Sequence, residues 1–130
     1  MIMITEAFLM ALIMVESGNR DIPGDNGKAQ GVLQIHTITV KEANRIIGLK
    51  GLPQCFNASD RHDRTASKMM CKIVLEYHGK RWEKKGHKMT PADYACLWRF
   101  GPTNFHPSKS TKAAIDRDRA KAIEKYMKNK

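Results

Sequence analysis

Residues 6–19 read EAFLMALIMVESGN, and residues 31–35 read GVLQI; the fold follows from how these two stretches are joined. Thr5 stands where its hydroxyl can accept from a first-turn amide, so a helix is expected from Glu6 to about Ser17. Because Ala7 to Val15 is apolar on every side, that helix belongs in the core. Gly18 supplies its stop. Ile22-Pro23-Gly24-Asp25-Asn26-Gly27 is dense in turn formers, and Gly31 to Ile35 reads as a short strand, so a small β-hairpin unit is expected after the first helix.

Working outward, Val40 to Ile47 places Ala43, Ile46 and Ile47 on one side and fits a second helix ended by Gly48. From about Asp60 to Lys84 the apolar residues Ala66, Met69, Met70, Ile73, Val74 and Tyr77 recur at steps of three and four, which predicts a long amphipathic helix with a basic outer face. Thr90-Pro91-Ala92-Asp93 is a helix start, with Thr90 as the cap, Pro91 in first position and Asp93 reaching back to an orphan amide. Gly101-Pro102 ends that helix. A last helix is expected from about Ser110 to Met127. The elements read from the residues are predominantly helical, with the small β unit after the first helix.

The chain has 130 residues with a formal net charge of +10, a length that suits one domain over residues 1–130. The run from Ile2 to Val15 falls short of the roughly 18–20 residues that cross a bilayer, so no membrane insertion is expected. It also lacks a basic leading region and a small-residue cleavage site before Glu16, so it reads as mature structure and not as a signal peptide. Cys55, Cys71 and Cys96 form no C-x-x-C pair and are expected to be buried or free thiols. The five histidines, His36, His62, His78, His87 and His106, show no paired ligand spacing, so neither a metal nor another cofactor is expected. Residues 1–40 carry two bases against four acids, whereas the remainder carries 21 bases against nine acids. That basic body suits a polyanionic partner. Lys68, Lys72, Lys80, Arg81, Lys84 and Lys85 are expected to form a solvated face that draws the protein to an anionic wall.

Glu16 is the most informative residue. It lies near the C-terminal end of a helix expected to be buried, where desolvation and the helix dipole both favour the protonated carboxyl that a general acid needs. Glu16-Ser17-Gly18-Asn19, with Gly31-Val32-Leu33-Gln34-Ile35 beginning 15 positions after Glu16, resembles the signature of soluble lytic transglycosylases and goose-type lysozymes of the lysozyme-like superfamily, in its phage-type form. In that family an E-S pair is followed by G-L-M-Q-I. The resemblance covers residues 7–47 and implies a lysozyme-like α+β fold, predominantly helical, with the β-hairpin unit after the first helix and a helical second lobe.

The resemblance implies a peptidoglycan-cleaving glycosidase that cuts the β-1,4 bond after N-acetylmuramic acid. Glu16 would be the general acid, Gln34 would hold sugar amide groups, and Ser17 would support the cleft. Asp25, nine positions after Glu16, resembles an acidic site of the goose-type and phage enzymes and is the candidate to position water; otherwise it simply opens an Asp-Asn-Gly turn. His36 is a candidate cleft residue. Tyr94 to Pro102 looks like the phage block W-N-G-G-P, with Arg99 in place of Asn and Phe100 in place of the first Gly. This makes Tyr94, Trp98 and Arg99 substrate-binding candidates. Arg99 either pairs with Glu16 or binds a stem-peptide carboxylate, and Trp98 and Phe100 either stack on sugars or join the core.

The expected partner is the peptidoglycan glycan strand, met by a monomer made in the cytoplasm and acting at the bacterial wall through phage release or as a virion component. No nucleic acid is expected. Two alternatives stand beside the hydrolase. One is a lytic transglycosylase that leaves an anhydro product, and the other is a catalytically silent wall-binding or virion-structural domain.

Overall fold

A computed structural model of the protein describes residues 4–53, 55–107, 121–125 and 127. The named helices are α1 (Glu6–Ser17), α2 (Thr37–Leu49), α3 (Arg64–Lys84) and α4 (Pro91–Phe100), with short 3₁₀ turns at Asp25–Gly27 and Ala58–His62. Most of the expected last helix lies outside the described residues, although residues 121–125 are helical. No helix among the described residues is long and apolar enough to cross a membrane.

The chain divides into two compact units, one of Met1–Val15 with Leu75–Lys130 and one of Glu16–Val74. In the first, Thr5 caps α1 by accepting from the Phe8 amide at 3.1 Å. Phe8, Leu9, Ala11, Leu12 and Ile13 are buried, and Met14 is the exposed exception on the apolar run. Helix α4 starts as expected, with Thr90 Oγ1 accepting from the Asp93 amide at 3.1 Å and Asp93 accepting from the Thr90 amide at 2.9 Å. Gly101, at φ 81°, closes it.

In the second unit the expected β-hairpin is absent. Pairing there is limited to two isolated antiparallel bridges, Gly24 with Ala29 and Gln30 with Ile35. The reason is local: Gly31 and Gln34 both adopt left-handed backbone, at φ 84° and 52°, so residues 31–34 turn where a strand would run straight. Gln30 and Ile35 then exchange hydrogen bonds of 3.1 and 2.9 Å across that turn. The helical part of the expected architecture stands; its β element does not.

Two helix boundaries also differ. Gly48 lies inside α2, and the stop comes at Gly51, where the amides of Gly51 and Leu52 bond to the carbonyls of Gly48 (3.0 Å) and Ile47 (3.2 Å). This is the paired-bond helix ending that satisfies orphan carbonyls. The long helix begins at Arg64 and not at Asp60, because Asn57 and Asp60 cap a separate 3₁₀ turn and Asp63 then accepts from the Ala66 amide at 2.8 Å. Its buried face is Ser67, Met70, Cys71, Val74, Leu75 and His78. Met69, expected inside, is 42% exposed. Apolar periodicity misplaced the stripe by about one residue because the buried face includes polar side chains; Ser67 satisfies its hydroxyl by donating to the Arg61 carbonyl at 3.0 Å.

Candidate functional site

Glu16 and Ser17 end α1, and the left-handed residues Gly18 (φ 66°) and Asn19 (φ 68°) take the chain out of the helix. Ser17 is buried. Its hydroxyl donates to the Val32 carbonyl at 2.7 Å and accepts from the Arg20 amide at 3.2 Å. The residue beside Glu16 is thereby tied to the turn that begins at Gly31. Glu16 is half-buried. Burial pushes the Cys71 thiol well above its ordinary value, and the negative charge of Glu16 pushes it further, so the carboxyl acts on a thiol in the core of this unit.

Between these points the chain makes two tight turns. Gly24 and Ala29 exchange hydrogen bonds of 2.9 and 3.0 Å, closing a turn in which Asp25 (φ 50°) and Asn26 (φ 56°) are left-handed. Such backbone is uncommon for residues other than glycine and costs of the order of 1 kcal/mol or more per residue, so it persists only where surrounding bonds enforce it. Here it turns Asp25 outward, 61% exposed. His36, 39% exposed, brings Nε2 to 3.4 Å from Asp25 Oδ2. Two of the expected site residues therefore meet.

Gln34 is engaged within the loop through its side-chain nitrogen. Its side-chain amide nitrogen donates to the carbonyls of Ile22 (2.8 Å) and Gly31 (3.0 Å), so both amide hydrogens brace the loop. The packing is close, and a Cβ at Gly24 would fall 1.9 Å from Gln34 Oε1.

Sequence reasoning missed the groups that clamp this loop from the 3₁₀ turn Ala58–His62 and from Arg64, the first residue of α3. Arg61 donates from Nε to the Ala58 carbonyl at 2.8 Å and from Nη1 to the carbonyls of Lys28 and Ile35, each at 3.2 Å. His62 Nδ1 lies 2.8 Å from Asp21 Oδ1, and Arg64 donates to the Asn19 side chain. Apart from the Arg61–Ala58 bond, these pairs join positions 26 to 45 apart in the chain, and no local pattern signals them.

The remaining candidates belong to the other unit. Tyr94, expected to face substrate, is 2% exposed and is a core residue. Its ring meets Phe8 edge-on at 6.3 Å and lies so close to Gly79 that a Cβ there would sit 2.4 Å from its hydroxyl. Burial, with smaller contributions from Glu83, Glu76 and Asp93, pushes that hydroxyl up to about 12. Trp98 and Phe100 are half-buried and Arg99 is exposed, all on the last turns of α4. Lys80, Arg81, Lys84 and Lys85 are exposed near the end of α3 in this unit, and Lys72 is exposed in the other.

No group of three or more His, Cys, Asp or Glu side chains able to hold a metal occurs among the described residues. No family model, curated protein or solved structure matches the chain.

Proposed function

We propose that the protein is a peptidoglycan-cleaving glycosidase acting on the β-1,4 bond between N-acetylmuramic acid and N-acetylglucosamine, with Glu16 as its general acid. The observation that carries this reading is the bond from Ser17 Oγ to the Val32 carbonyl. It fastens the Glu-Ser end of α1 to the Gly31–Ile35 turn, so the two halves of the sequence motif form one substructure. A half-buried carboxyl at a helix C-terminus is a setting in which a proton donor can be kept.

In the proposed reaction Glu16 gives its proton to the glycosidic oxygen as the bond to the anomeric carbon breaks. Inverting hydrolysis needs a second carboxylate, about 6.5–9.5 Å away, to take a proton from the attacking water. Asp25, exposed on its turn, is the candidate. A lytic transglycosylase dispenses with it, because the muramic 6-hydroxyl attacks in place of water.

The test is digestion of purified peptidoglycan by the wild type and by Glu16→Gln, with released muropeptides identified by mass spectrometry and folding checked by circular dichroism. Loss of the general acid is expected to slow release by about 10²–10⁴-fold. Free reducing ends would indicate hydrolysis and anhydro-muramic ends transglycosylation. Equal release by the two proteins, or binding to the wall without cleavage by either, would overturn the glycosidase and favour a silent wall-binding domain.

A further inference from the structure

Helix α2 opens on an unusual residue. His36 holds the position before its first turn, where Ser, Thr, Asp and Asn are favoured because their side-chain oxygens accept from first-turn amides. The His36 carbonyl accepts from the amides of Thr39 (3.0 Å) and Val40 (3.3 Å), but its ring makes no capping bond. The imidazole turns to Asp25 instead. On the other side, Asp25 reaches the imidazole only because its turn is held left-handed by the Gly24–Ala29 bridge. Arg61 then fixes both backbones, binding the carbonyl next to His36 and the one at Lys28. The pair is thus assembled by three separate devices and serves no helix end.

We infer that His36 is the positioning residue for Asp25, holding it as the water-activating carboxylate of an inverting hydrolysis; this rests on the glycosidase reading above. His36 Nε2 lies 3.4 Å from Asp25 Oδ2, within ion-pair range, and Oδ1 has no protein partner among the described residues. In the hydrolytic step the Glu16 proton goes to the leaving oxygen, the water oxygen bonds to the anomeric carbon, and the water proton passes to Asp25 Oδ1. One water is consumed and two hydroxyl ends are formed.

The experiment compares wild type, His36→Ala, His36→Gln and Glu16→Gln on purified peptidoglycan across pH 5–8, reading kcat, KM and the chemistry of the released ends. His36→Ala is expected to lower kcat by about 10–100-fold with little change in KM, a part of the general-base contribution. Glutamine keeps an N–H donor. His36→Gln is therefore expected to recover most of kcat. Because the ring caps nothing, both variants should melt with the wild type.

Wild-type kcat in His36→Ala would overturn the inference, as would a rise in KM alone, which would make His36 a sugar contact. Anhydro ends from the wild type would also overturn it while leaving the glycosidase intact, because no water is then activated. Full activity in Glu16→Gln, or none in the wild type, would sink the underlying reading and the inference with it.

Discussion

The loop that carries Asp25 and His36 and the helix that carries Tyr94 and Trp98 are held by different means. Helix α4 is specified by neighbours: Thr90 and Asp93 satisfy each other's amides three residues apart, and Gly101 stops the helix at φ 81°. The loop from Gly18 to His36 is specified by distant groups. Ser17 bonds 15 residues away, Arg61 reaches back 26 and 33 residues, and Gln34 reaches back 12. Besides its buried Ala29, Val32, Leu33 and Ile35, this segment is fixed by bonds between side chains and backbone carbonyls, which also hold its left-handed residues in place.

The difference predicts where the molecule is least tolerant of change. Gly31 combines a positive φ of 84° with a contact in which a Cβ would fall 1.8 Å from the Arg61 carbonyl oxygen. Gly31→Ala therefore faces backbone strain and a clash with main chain that is itself bonded to Ser67, each costing about 1–3 kcal/mol. The expected result in a urea titration is the largest loss of stability in this set, with faster amide exchange over residues 19–36 than over α4. A melting curve matching the wild type would show that the loop is not clamped from Arg61.

The next effect belongs to the other end of the same substructure. Ser17→Ala removes a buried donor and leaves the Val32 carbonyl without it, at an expected cost of about 1–3 kcal/mol. It should also lower peptidoglycan cleavage by more than its stability loss explains, because the Glu16 end of α1 is no longer tied to the Gly31 turn. Cleavage measured well below the melting point separates the two effects. Undiminished turnover in a destabilised protein would make Ser17 a purely structural brace.

How much of this was legible in the sequence follows the same division. The limits of α1 and α4 were readable because Thr5, Gly18, Thr90 and Gly101 act on residues three or four positions away. The expected Gly31–Ile35 strand fails because Val32, Leu33 and Ile35 in a stretch of five do not reveal that Gln34 is left-handed, at φ 52°; the bonds from its amide to Ile22 and Gly31 accompany that geometry. Tyr94 is a substrate-binding candidate in the sequence because it opens the stretch to Pro102 that resembles a family motif. Its burial is set by Gly79 and Phe8, which are distant in sequence. At the candidate site, Glu16 and Asp25 were singled out by residue type and spacing. The contact between Asp25 and His36 depended on two turns whose geometry the sequence does not spell out, and Arg61 carried no local signal at all.

The smallest effect makes the sharpest control. Thr90→Ala deletes a hydroxyl, as Ser17→Ala does, but Thr90 is exposed and its bond partner is three residues away. Water can replace the lost acceptor, and Pro91 still presets the first turn, so the expected cost is about 1 kcal/mol. Amide exchange should quicken only in the first turn of α4, and cleavage should be unchanged. If Thr90→Ala instead cost as much as Ser17→Ala, local capping and long-range bracing would contribute equally. The distinction between a helix specified by its neighbours and a loop specified at a distance would then fail on energetic grounds.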